Sequence, residues 1–230
     1  MEIAEIPENL KSAMRMRFLS GLKSIDAVDL YELELFRWFR DETERTWASM
    51  EAKEQRYIKE QSGQGAEDIN DSGLIAADYY CKRMRYSHVI FLTTILEGAM
   101  KQECARLSKA LGPLALFELR DLKGGPWTVK KLFLERYGHF EVSDVLWTPI
   151  KQLLNVRNAI VHHSGDLLPL TEEQSSSLQK IKGISLNSNE VQIDNEYVDL
   201  AIAAVQEALE FIHNEVDKVI DSAVAPRSVT

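Results

Sequence analysis

The sequence predicts an all-α protein: an antiparallel helical bundle with a small β-hairpin appendage. Three observations carry that reading. Apolar residues recur at roughly helical spacing through four long stretches, residues 26–60, 72–111, 143–163 and 196–222. Breakers rich in glycine, proline or serine interrupt the chain at Ser62-Gly63-Gln64-Gly65, Gly112-Pro113 and Gly124-Gly125-Pro126. One segment, 184–197, reads as paired strands.

In chain order, residues 10–22 suit a short amphipathic helix. Asp26 is a good N-cap for a long helix to about Glu60, with Val28, Leu35, Phe39, Trp47 and Met50 among its apolar positions. Residues 61–72 read as a mobile loop. Ser72 then caps a second long helix, on which Tyr80, Met84, Phe91, Ile95, Ala99 and Leu107 recur. Gly112-Pro113 ends it, and a short helix is expected over 114–122. Residues 127–137 are helical, closed by Gly138. Ser143 caps the next helix, within which Pro149 marks a kink or a restart. Ile150, Leu153, Leu154, Ile160 and Val161 form its apolar side. Residues 164–175 are a loop and 176–183 a short helix. Ile184-Ser185-Leu186 and Val191-Gln192-Ile193 flank Asn187-Ser188-Asn189 as a hairpin. The last amphipathic helix buries Val198, Ile202, Val205, Leu209, Ile212 and Val216. The expected organisation is N-terminal helices and loop over 1–72 packed on the core, a helical domain over 73–222 and a disordered tail over 223–230.

A chain of 230 residues buries one good core, or a core and a small appendage. Its 45% hydrophobic and 27% charged residues are those of an ordinary globular protein. No apolar run approaches the length of a membrane span. Met1-Glu2-Ile3-Ala4-Glu5 lacks the basic start and apolar core of a secretion signal, so a cytoplasmic location and no membrane association are expected. Cys81 and Cys104 read as buried thiols of a reducing compartment.

The net charge of −9 argues against non-specific nucleic-acid binding. Its distribution is uneven. Residues 82–136 hold eleven Lys/Arg against five acids, whereas 186–224 hold one Lys against nine acids. Residues 145–165 hold two bases and no acid. Solvated helix faces account for this pattern, and so does a basic cleft with an acidic back.

Within the acid-free stretch stands Arg157-Asn158-Ala159-Ile160-Val161-His162, followed by His163, Ser164 and Gly165. At about 100° per residue, Asn158 and His162 share a helix face and Arg157 lies on the next. A guanidinium holds phosphate bidentately with its charge retained at any working pH. An imidazole, ordinarily titrating near pH ~6.5, exchanges protons with sugar and leaving oxygens. Together they suffice for phosphodiester cleavage without metal. A helix C-terminus also favours histidine through its macrodipole alone, and Arg157 pairing with an acid such as Glu97 is the structural alternative.

The Arg157-Asn158-x-x-x-His162 set on a bundle helix resembles the signature of the HEPN superfamily: Arg, a polar residue, then His, with four to six residues between Arg and His. Residues 86–98, an apolar run ending in Glu97-Gly98, resemble that family's first core helix. The resemblance covers roughly residues 73–220. It implies a metal-independent endoribonuclease without a cofactor, acting as a homodimer on RNA, in a toxin or antiphage-defence role with a possible cognate antitoxin or defence partner protein. The implied catalytic residues are Arg157, Asn158 and His162, with Glu97 as a further polar member. Lys82, Arg83, Arg85, Lys151 and His163 are the expected RNA contacts, with Tyr79, Tyr80 and Tyr86 as stacking rings; core tyrosines beneath a solvated basic face, and a helix-capping His163, are the structural alternatives. A non-catalytic protein- or nucleotide-binding module of the same fold is the alternative. His139, Glu97 and the His162-His163 pair lack metal-ligand spacing. Gly124-Gly125-Pro126 is a turn, too short for a phosphate loop.

Overall fold

The computed structural model describes residues 27–63, 71–112, 122–187 and 189–224. Among them are six helices and one two-stranded sheet: α1 (Ala27–Gly63), α2 (Ser72–Leu111), α3 (Pro126–Gly138), α4 (Asp144–His163), α5 (Glu172–Gln179), β1 (Ile184–Asn187), β2 (Glu190–Ile193) and α6 (Asn195–Val224). The fold is all-α with a β-hairpin, as expected. The helix expected over 10–22, Asp26, and most of the segment expected over 114–122 lie outside the described residues, as do most of the loop over 61–72 and of the tail over 223–230. Residues 61–63 belong to α1. The chain divides into two compact units that cut across residue 72.

One, the hairpin unit, comprises Glu32–Thr94 and Thr148–Val205. In α1 the buried positions are Leu33, Phe36 and Arg40, three and four residues apart. Leu35, Phe39 and Met50, expected on the apolar side, are instead about half exposed. Apolar residues surround α1, so periodicity gives its type and not its buried face. Arg40 lies in the buried stripe because it pairs with Asp199 and donates to Asn195 Oδ1 at 3.1 Å. In α2, Tyr80 and Phe91 are likewise exposed, whereas Tyr86, Val89 and Leu92 are buried. Trp47 stacks on Tyr80 with centroids 6.1 Å apart.

In the same unit α4 buries Ile150, Leu153, Val156, Ala159 and Ile160, while Val161 is exposed. α4 runs unbroken through Pro149, which opens no second helix. The carbonyl that Pro149 leaves without a donor is that of Val145, in the first turn, where the residue is solvent-exposed. α5 begins at Glu172, four residues before the expected start at 176. The cause is a capping box: Thr171 Oγ1 accepts from Gln174 N–H at 3.2 Å, and Thr171 N–H donates to Gln174 Oε1 at 2.9 Å. β1 and β2 pair from Ile184↔Ile193 to Asn187↔Glu190, with Asn189 at φ 63° in the turn. The Asp194 carboxylate accepts from Tyr197 N–H at 2.8 Å and caps α6.

The other, the α3 unit, comprises Ile95–Trp147 together with the residues before Glu32 and after Val205. Its core includes Leu96, Met100, Leu107, Phe133, Leu134, Leu209, Ile212 and Val216. At the start of α4, Ser143 caps as expected, its Oγ accepting from Leu146 N–H at 3.3 Å. A polar cluster crosses the unit. The buried Arg106 donates to both Glu103 oxygens at 2.8 and 2.7 Å and to Asp217 at 2.5 Å, and its Nη1 lies 3.0 Å from His213 Nδ1. Cys104 is buried, its thiol 3.7 Å from the Lys130 carbonyl; burial pushes that thiol up to about 12. α3 ends differently from expectation. The left-handed residue is His139 at φ 54°, and Gly138 serves close packing, since a Cβ there would collide with the Phe140 ring.

Candidate functional site at the end of α4

The last turn of α4 carries the site, and its termination is specific. Ser164 and Gly165 both adopt positive φ, 53° and 80°. Gly165 N–H then reaches back six residues to the Ala159 carbonyl at 3.1 Å and closes the helix end. A Cβ at Gly165 would run into the Tyr86 hydroxyl, so the glycine is required for space as well as for φ. Tyr86 in turn donates to the Val191 carbonyl, and Val191 N–H donates to the Gly165 carbonyl at 2.8 Å. The helix end is thereby locked between α2 and the hairpin.

Asn158, His162 and His163 line one open cavity of about 470 Å³. Asn155 and Ala159 complete the α4 wall, and Glu173, Gln174, Ser177 and Leu178 of α5 face it. Asn158 and His162, one turn apart, face the same cavity, as the helical spacing predicts. His162 and His163 have ring centroids 6.4 Å apart in an edge-on arrangement. Arg157 is not in the cavity wall; its Nη1 donates to Asn158 Oδ1 at 3.1 Å, which ties it to the residue beside the cavity. The i,i+1 angular offset accounts for this placement.

The remaining candidates sit elsewhere. Glu97 is in the α3 unit, where it accepts from Lys130 Nζ at 3.0 Å. Lys82 forms an ion pair with Glu190 of β2. Arg83 donates to the Ser164 carbonyl at 3.0 Å, approaches Glu190 at 3.6 Å and lies over the Tyr79 and Tyr86 rings. Arg85 grips both Glu44 oxygens at 2.8 Å and donates to the Ile193 carbonyl at 3.1 Å. Burial works to raise the Glu44 carboxyl, but the Arg85 hydrogen bonds and charge hold it below its ordinary value. These three cations brace α1, the hairpin and the end of α4. Lys151 is exposed on α4 and is not in the cavity wall.

Sequence reasoning missed the α5 wall. Its signal was Thr171-x-x-Gln174, a capping-box spacing that places Glu173 and Ser177 on the helix. Among the described residues, no three His, Cys, Asp or Glu side chains converge as metal ligands, and no helix is long and apolar enough to cross a membrane. No family model, curated protein or solved structure matches this chain.

Proposed function

We propose that the α4 cavity is the site of a metal-independent endoribonuclease of HEPN type. The carrying observation is that Asn158 and His162, one turn apart, line with His163 a single hollow that is open to solvent. In this reading His162 takes the 2′-OH proton, O2′ attacks phosphorus, and the 5′-oxygen leaves with a proton from a second imidazole. The products are a 2′,3′-cyclic phosphate and a 5′-hydroxyl end. Arg157 stabilises the charge on the phosphorane. Because Arg157 lies beside rather than within its own cavity, a homodimer that brings a second α4 end alongside completes the site. A toxin or antiphage-defence role, cytoplasmic and with a cognate partner protein, belongs to the same proposal. RNA incubated with purified protein in EDTA should be cut, and His162→Ala should be inert. Equal cutting by both forms rejects the site.

A second reading draws on different observations. Glu173 puts a carboxylate in the cavity wall, and Lys82, Arg83 and Arg85 are engaged internally. Both features weaken attraction for a polyanion and suit a non-catalytic module that holds a nucleotide or a partner protein. RNA left intact by the wild-type chain, with retained binding of a nucleotide or one purified partner, selects this reading.

A further inference from the structure

The α4 cavity carries a second imidazole of its own. His163, the last residue of α4, lines the same hollow of about 470 Å³ as His162. The two ring centroids are 6.4 Å apart and the ring planes meet at 63°. Among the described residues, neither imidazole has a hydrogen-bond or ion-pair partner, so both are available to a ligand. Among the described residues lining the hollow, the two histidines alone are of a type that ordinarily holds or releases a proton near neutral pH. Glu173 carries a carboxyl, a group ordinarily ionised there, Ser177 carries a hydroxyl, and the remaining polar members are amides.

We propose that His163 is the general acid of RNA cleavage, acting in the same cavity as His162 of its own chain; this rests on the endoribonuclease reading of that cavity. In an in-line displacement the attacking 2′-oxygen and the departing 5′-oxygen lie on opposite sides of phosphorus. The base and the acid must each come within roughly 3 Å of its own oxygen, so they stand apart across the phosphate. Two rings 6.4 Å apart at their centroids, not hydrogen-bonded to each other, have that kind of separation. O2′ gives its proton to the neutral His162 ring and bonds to phosphorus. The P–O5′ bond breaks, and its electron pair takes the proton that the His163 imidazolium releases. The two rings end the step with their protonation exchanged, and solvent in the open cavity restores them.

The test uses two RNA oligonucleotides of one sequence, one natural and one with sulfur replacing the 5′-bridging oxygen at the position the wild-type chain cuts. Sulfur leaves as a thiolate and needs no proton, because the less basic leaving group departs faster. On natural RNA in EDTA, His163→Ala should cut about 10²–10⁴-fold more slowly than the wild-type chain. On the sulfur-bridged RNA that gap should shrink to less than about tenfold, while His162→Ala, which lacks the base, stays slow on both. His163→Gln, which keeps a polar side chain but has no proton to transfer, should repeat the pattern of His163→Ala. Natural RNA cut at the wild-type rate by both His163 variants overturns the proposal and leaves the α4 cavity a nuclease site with its acid elsewhere. A defect that sulfur does not relieve also overturns it and assigns His163 to packing or substrate binding. A wild-type chain that leaves natural RNA intact rejects the nuclease reading itself, and the role of His163 with it.

Discussion

Two histidines of the hairpin unit, His162 at the end of α4 and His88 on α2, stand in opposite surroundings. His162 is exposed, flanked by Asn158 and His163 and faced by the polar side chains of α5. His88 is sealed among phenylalanines, and its protonated form is disfavoured by burial. Residue type alone is therefore silent about role. A solvated imidazole is free to exchange protons with a substrate, while a desolvated one acts only as a neutral hydrogen-bonding group.

The largest effect that tests this contrast is on turnover. His162→Ala should lower RNA cleavage by about 10²–10⁴-fold, the ordinary contribution of a general acid or base. Retention of full activity would remove catalysis from the α4 side of the comparison. On the other side, His88 ties stability to pH. Its folded-state pKa, about 4, lies below the ordinary 6.5, so acid protonates the unfolded chain first. The stabilisation is complete above pH ~6.5 and declines as pH falls toward ~4, by roughly 3 kcal/mol for this group. Urea unfolding at pH 7 and pH 4.5 measures it. His88→Phe should lose less stability across that interval than the wild-type chain, and parallel losses would break the assignment.

Smaller effects sharpen the description of the α4 cavity. Gly165→Ala places a side chain at φ 80° and against the Tyr86 hydroxyl; a cost of about 2 kcal/mol is expected. Wild-type-like unfolding would mean that the turn and Tyr86 rearrange readily. Thr171→Ala should cost about 1 kcal/mol through loss of the capping box. Its signature is local: faster hydrogen exchange at the Gln174 amide, with α1 and α2 unaffected. Uniformly faster exchange would show that α5 does not open independently.

Legibility differed along the chain for physical reasons. In α6 one clear apolar stripe, Val198, Ile202, Val205, Leu209, Ile212 and Val216, is buried as expected, while the off-stripe Leu200 is exposed. In α1 the period was readable and the phase was not, because the buried stripe includes Arg40, whose partner Asp199 stands 159 positions away. The α4 end followed from helix arithmetic, which put Asn158 and His162 on one face. The fates of Lys82, Arg83 and Arg85 did not follow, since they depend on Glu44, Glu190 and a carbonyl at Ser164, all remote in sequence. His88 gave no signal either. Its isolation arises from the packing of Phe36 and Phe39, which no local pattern encodes.

The two cysteines have a practical consequence. Cys81 belongs to the hairpin unit and is half-buried; Cys104 belongs to the α3 unit and is inaccessible. Thiolate is the reactive form and burial suppresses it at both positions, but only Cys104 must wait for its surroundings to open before it meets an alkylating reagent. The α3 unit thus carries a native clock: mass spectrometry of the Cys104 tryptic peptide times its breathing, and the half-buried Cys81 serves as the reference for direct reaction.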